Sequence, residues 1–147
     1  MGPLDNFIEE FAKENFFFHQ ENANSYRMEF TGTIDTFTVW LKVNNYTNGI
    51  IFCDAISPIN VDPSRSLEFI NFFNHINSGV NHGAFGLDVS DGEFGFATSI
   101  VFTDDELTFP MLENPVRFVS YMMDKYIPVI EAVQNGSSPE EALKLVD

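Results

Sequence analysis

At 147 residues the chain is long enough for one ordinary hydrophobic core, and 44% hydrophobic against 20% charged side chains exclude a disordered chain. A formal charge of −15, from 22 acidic and 7 basic residues, repels phosphate backbones and anionic bilayers, so neither nucleic acid nor a membrane is expected as a partner. No apolar run approaches the ~20 residues that a spanning helix needs, and a single soluble domain over 1–147 is expected.

Leu4, Phe7, Ile8 and Phe11 recur at the i, i+3, i+4, i+7 spacing of one helical face, with Glu9, Glu10 and Lys13 elsewhere on the wheel, which predicts a first helix over 4–18. The run Phe16-Phe17-Phe18 is too continuous for one stripe, so at least one ring is expected to leave the principal core. After an Asn- and Gln-rich turn at 20–24 the period becomes two: Tyr26, Met28 and Phe30 alternate with Arg27, Glu29 and Thr31. Phe37, Val39, Leu41 and Val43 then alternate with Thr36, Thr38, Trp40 and Lys42, predicting a strand over 36–44. Asn44, Asn45 and Asn48-Gly49 supply a hairpin turn, and 49–57 returns as the third strand.

Asp62 suits the N-cap and Pro63 the first position of a second helix, whose buried face is Phe69, Phe72, Phe73 and Ile76 and whose C-cap is Gly79. Segments 83–90 and 93–102 form a second hairpin about Asp91-Gly92, with the chemistry of a type I′ turn. Asn114-Pro115 opens a third helix with Val119, Met122, Met123, Tyr126 and Ile130 on one face, and Pro128 should kink it. Ser138-Pro139-Glu140-Glu141 reads as a capping box that starts a short tail helix at about 138–146, carrying Ala142, Leu143 and Val146. This order predicts an α+β fold: an antiparallel-rich sheet of about five strands with helices packed on it, not a βαβ parallel sheet. Seventeen Phe residues make that side chain the main core-builder.

The element order, the Phe-rich second helix running into Asn74 and Asn77, the strand pair 83–102 and the closing helix segment 124–128 resemble the YbjN-like bacterial domain over roughly residues 4–133. That resemblance implies the fold of class I type III secretion chaperones, which are small, acidic, usually dimeric proteins that hold a partly unfolded effector segment. It implies no secretion role. YbjN-like proteins are described as regulators, and no binding residue carries over from them onto positions here.

The lone Cys53 excludes an intrachain disulfide and fits a reducing, cytoplasmic location. Met1 to Asp5 lack a basic segment followed by an apolar one, so no targeting signal is expected, and the triplets Asn45-Tyr46-Thr47 and Asn135-Gly136-Ser137 carry no weight as glycosylation sites. His19, His75 and His82 cannot assemble a tetrahedral zinc site with so distant a cysteine. Asp88, Asp91 and Glu93 lack the alternating oxygen ligands of a calcium loop, and Asp104, Asp105 and Glu106 read as a solvated loop. Gly83-Ala84-Phe85-Gly86 and Gly92-Glu93-Phe94-Gly95 lack the Lys and the strand-to-helix context of a nucleotide loop. With no activated nucleophile either, no catalytic residue, metal or cofactor is expected.

The remaining feature is the sheet face opposite the Phe-rich one, to which alternation assigns Trp40, Ile51, Cys53, Ala55, Gly86, Gly95, Ala97 and Val101. Small side chains there let another backbone approach, with Trp40 as an aromatic anchor for a second copy or a partner segment; equally, the third helix could cover that face. The expected function is a non-catalytic protein-binding module, chaperone-like or regulatory, acting as a homodimer. The alternative is a small-molecule-sensing domain with an apolar pocket between sheet and helices. An enzyme built on carboxylates such as Asp88 or Asp104 would need a shared cleft that the spacing does not supply.

Overall fold

The computed structural model describes residues 2–44, 49–103 and 106–146. The turn residues Asn45 and Asn48, the Asn45-Tyr46-Thr47 triplet and the loop residues Asp104 and Asp105 lie outside the described residues.

The first helix, α1 (Asp5–Lys13), stops short of the predicted Phe18. Phe11 carbonyl accepts from both Glu14 N (2.9 Å) and Phe16 N (3.0 Å), and Asn15 takes φ 64°, a left-handed conformation that ends a helix. The chain then swings Phe16 and Phe18 inward and leaves Phe17 63% exposed, so one ring of the three does leave the core. Segment 20–24 is not simply a turn. His19–Asn22 forms strand β1, which pairs antiparallel with β2 (Ser25–Thr31). All four β1 side chains face water, so the strand carries no alternating apolar signal.

Strand β3 (Thr36–Asn44) has the predicted bounds, and β4 (Gly49–Asn60) runs three residues beyond the predicted end. Pro58 is tolerated there because the register with β6 (Glu93–Phe102) shifts between Ile56 and Asn60, a place where a strand needs no regular ladder donor. Asp62 accepts from Ser64 N (2.9 Å), as expected of a cap, and opens a 3-10 turn, Pro63–Arg65, that leads into α2 (Ser66–Asn77). Gly79 follows the helix without adopting the left-handed conformation; its N–H bonds Ile76 carbonyl at 3.1 Å.

Strand β5 (Ala84–Leu87) joins β6 through a loop longer than a two-residue type I′ turn. Asp88 N donates to Glu93 carbonyl and Gly92 N to Asp88 carbonyl, each at 2.8 Å, and of the loop residues only Gly92 has positive φ, at 83°. A side chain at Gly92 would strike Val61 carbonyl, so glycine is needed for the close approach as well as for the turn.

The third helix, α3 (Phe109–Gln134), begins five residues before Asn114, with Pro110 in its first turn, and continues unbroken through Pro115 and Pro128. Each internal proline forfeits one backbone donor, and the buried row Leu112, Val116, Val119, Met123, Ile127 and Ile130 holds the helix together regardless. Ser138 Oγ accepts from Glu141 N (3.2 Å) and caps α4 (Pro139–Leu143), a shorter tail helix than 138–146. At the other end of this layer, Arg65 donates to Val133 and Gln134 carbonyls (3.0 and 2.9 Å), tying the entrance of α2 to the C-terminus of α3.

The six strands form one antiparallel sheet in the order β1-β2-β3-β4-β6-β5. The class is the predicted α+β, with one strand more than the expected five. Helices pack on one face only. Phe73 of α2 stacks on Phe85 at 5.4 Å, Phe118 of α3 meets Phe96 edge-on at 5.6 Å, and Phe11 of α1 lies 5.0 Å from Phe18. Tyr26, Phe37, Val39, Leu41, Phe94 and Phe96 supply the sheet side of that core, each at most 1% exposed.

Candidate functional site: the uncovered sheet face

Directly paired residues of an antiparallel sheet share a face, so the register identifies every residue on the side away from the helices. One row crosses five strands as Arg27, Trp40, Asp54, Ala97 and Ala84. Flanking rows are Lys42, Phe52, Ser99 and Glu29, Thr38, Ile56, Gly95, Gly86, and a third joins Asn44, Ile50 and Val101.

Trp40, Gly86, Gly95, Ala97 and Val101 therefore lie where alternation assigned them. Ile51, Cys53 and Ala55 do not: they pair with Val43, Leu41 and Val39, point into the core and are 0% exposed. Their places on the open face are taken by Ile50, Phe52, Asp54 and Ile56. The strand reads Ile50-Ile51-Phe52-Cys53-Asp54-Ala55-Ile56, apolar at both parities, so period two is silent on which set faces in. Burial also pushes the Cys53 thiol well above its ordinary pKa, leaving it a packing group with no thiolate chemistry.

The face has two halves. On β2 and β3 it is polar, with Arg27 and Glu29 in an ion pair at 2.5 Å. On β4, β6 and β5 it is apolar and small-residued: Val101 is 68% and Phe52 43% exposed, and a side chain at Gly86 would enter open space. Trp40 and Asp54 sit on the seam. Lys42 ammonium lies 5.0 Å over the Trp40 ring and 4.0 Å from the Asp54 carboxylate. Burial raises the Asp54 pKa above the usual carboxylate range, an effect that Lys42 partly offsets.

The sheet edges are guarded. Asn77 of α2 donates to Phe85 carbonyl (3.1 Å) and accepts from Phe85 N (2.8 Å), so one amide side chain occupies the outward hydrogen-bonding groups of Phe85 on the edge strand β5. At the opposite edge β1 is short, polar and exposed. The asparagine was visible in the sequence; its task as an edge plug depends on a helix end meeting a strand 8 residues later.

The other titratable candidates are dispersed. His82 Nε2 lies 2.5 Å from Thr98 Oγ1, His19 lies 3.3 Å from Glu21, and His75 is exposed on α2. Asp88 accepts from Ser90 N (2.9 Å) and Ser90 Oγ (2.6 Å), which lowers its pKa and shows it at work in the turn. Asp91 likewise accepts from Glu93 N at 2.9 Å. Among the described residues no three His, Cys, Asp or Glu side chains converge as metal ligands, and no helix is long and apolar enough to cross a membrane. One apolar concavity lies at the margin of the helical layer, between α3 and residues 79–82.

No family model matches the chain, and no curated protein matches it. Among solved structures it is similar to YbjN from E. coli, a proposed transcription regulator, with a TM-score of 0.61 over 90% of this chain and 92% of that one. The fold is that of YbjN. At 19% identity the likeness is one of backbone architecture, so the YbjN fold supplies the frame and the side chains described above supply what is particular to this chain.

Proposed function

We propose that the chain is a non-catalytic, cytoplasmic protein-binding module of regulatory or chaperone-like type, and that the first protein it binds is a second copy of itself, through the uncovered sheet face. The observation that carries this reading is the exposed pairing of Ile50 with Val101 beside Phe52, on a face that no helix covers. Charge supports a second copy as the occupant. Although the chain carries −15 overall, this face holds both signs, Arg27 and Lys42 with Glu29 and Asp54 on the central rows and Glu21 and Glu93 toward its margins. Two such faces can set the basic side chains of one copy against the acidic ones of the other, while the guarded edges favour face-to-face packing. The YbjN fold, found in a proposed regulator, is consistent with regulation through protein contacts, and the acidic remainder disfavours direct contact with nucleic acid.

Light scattering behind size exclusion tests the reading. The expected solution mass is twice the 16.7 kDa of one chain, and the Phe52→Glu/Val101→Glu variant is expected to run at 16.7 kDa with an unchanged far-UV spectrum. A wild-type chain of single mass at tens of micromolar, or a variant that keeps the doubled mass, would refute it.

A further inference from the structure

We propose that the groove between α3 and residues 79–82 binds a small elongated amphipathic carboxylate, with its headgroup at Lys125 and its apolar body along the helix. The groove, open to solvent along one side, offers about 550 Å³, within the size class of small-molecule sites. Its α3 wall is one stripe, Asn114, Phe118, Met122 and Tyr126, spaced four residues apart, and Val80 faces it from the loop. Twelve residues of helix give that stripe a length of ~18 Å, which suits an extended chain better than a compact ring. Phe118 and Tyr126 are held edge-on by Phe96 (5.6 Å) and Phe85 (5.4 Å), so the floor is preformed by the core behind it.

Charge selects the headgroup. Five of the 7 basic residues, Arg27, Lys42, Arg65, Arg117 and Lys144, pair with a carboxylate of the chain. Lys125 has no such partner among the described residues, although acidic groups outnumber basic ones by 22 to 7. Its ammonium instead rests 5.5 Å from the centroids of both Tyr121 and Tyr126, which hold it at the end of the groove. A cation with no anion beside it among the described residues, fixed beside an apolar channel in an otherwise acidic molecule, is complementary to a ligand with one negative end. Asn81, His82 and Asn114 add polar groups along the rim.

Titration of the full-length ¹⁵N-labelled chain with decanoate, and in parallel with decanol, tests this. Decanoate is expected to shift the amides of 79–82 and 114–126 and to bind at least about tenfold tighter than decanol, the preference expected of one charge-assisted contact. Lys125→Met should abolish that preference while leaving decanol binding intact, and Lys125→Arg should keep it. Shifts that instead centre on Phe52 and Val101, equal affinities for the two probes, undiminished decanoate binding by Lys125→Met, or no shift at millimolar probe would each overturn the assignment. Spectra of the free variants that overlay on wild type away from the groove verify that folding is retained.

Discussion

The two faces of the sheet share the same backbone ladder yet have opposite fates. On the inner face Val39, Leu41, Phe94 and Phe96 are at most 1% exposed beneath three helices, whereas on the outer face of the same sheet Phe52 and Val101 remain 43% and 68% exposed. Composition alone does not separate them, since β4 is apolar on both sides. What separates them is where the helices go: α2 and α3 return to the same side, and the Phe-rich stripe of α2 and the aliphatic and Met stripe of α3 use up the apolar surface there. A sheet covered once keeps one face for a partner, and apolar side chains on that face stabilise an assembly rather than the monomer.

The sharpest way to break the comparison is to truncate one residue from each face of β6. Phe96→Ala should cost about 3–5 kcal/mol in denaturant unfolding, because its ring touches Phe85 and Phe118 and leaves a cavity. Val101→Ala should change monomer stability by no more than about 0.5 kcal/mol, since its side chain loses little contact. Equal costs would show that the outer face is as tightly packed as the inner.

A smaller effect tests a polar anchor of the inner face. Tyr26 hydroxyl donates to Asp5 Oδ1 (2.8 Å) and accepts from Leu4 N (3.0 Å), fastening α1 to the sheet. Burial, assisted by the Asp5 carboxylate, raises the Tyr26 pKa to about 12. Because the folded value exceeds the unfolded one, this contribution is complete below pH ~10 and is lost as pH rises toward 12. Tyr26→Phe should lose about 1–2 kcal/mol at neutral pH, and its stability should converge with that of wild type between pH 10 and 12 in urea melts.

The smallest expected change lies on the outer seam. Burial raises the pKa of Asp54, so folding disfavours its charged form, and the penalty grows as pH climbs through the folded value. Asp54→Asn should therefore stabilise the chain by less than about 1 kcal/mol at pH 7 and not at all below the usual carboxylate range. A loss of stability at pH 7 would mean that the Lys42 contact outweighs burial.

Most of the fold is legible in the residues because local periodicity is the physical cause of the elements. The alternation over 36–44 is β3, the Asp62-Pro63 cap opens the second helical segment, and Ser138 caps the last helix. Readings failed where local signal is weak or ambiguous. The polar strand β1 offers no apolar rhythm, α3 starts five residues before Asn114-Pro115, and the Asp88 loop uses side-chain bonds in place of a tight turn. The candidate site was half legible: Trp40, Ala97 and Val101 stand on the open face, while Ile51, Cys53 and Ala55 belong to the core and Ile50 and Phe52 replace them.

The sequence by itself determined the antiparallel α+β class, the Phe-built core and the absence of an intrachain disulfide, because each follows from residue types and their short-range spacing. Only the tertiary structure decided which parity of β4 faces the helices, that Asn77 plugs the β5 edge at Phe85, and that Lys125 ends beside an apolar groove with no anionic partner among the described residues. These facts join residues that no local period connects. They depend on register and on the side of the sheet to which each helix returns, and a one-residue shift of register would have exchanged the two faces.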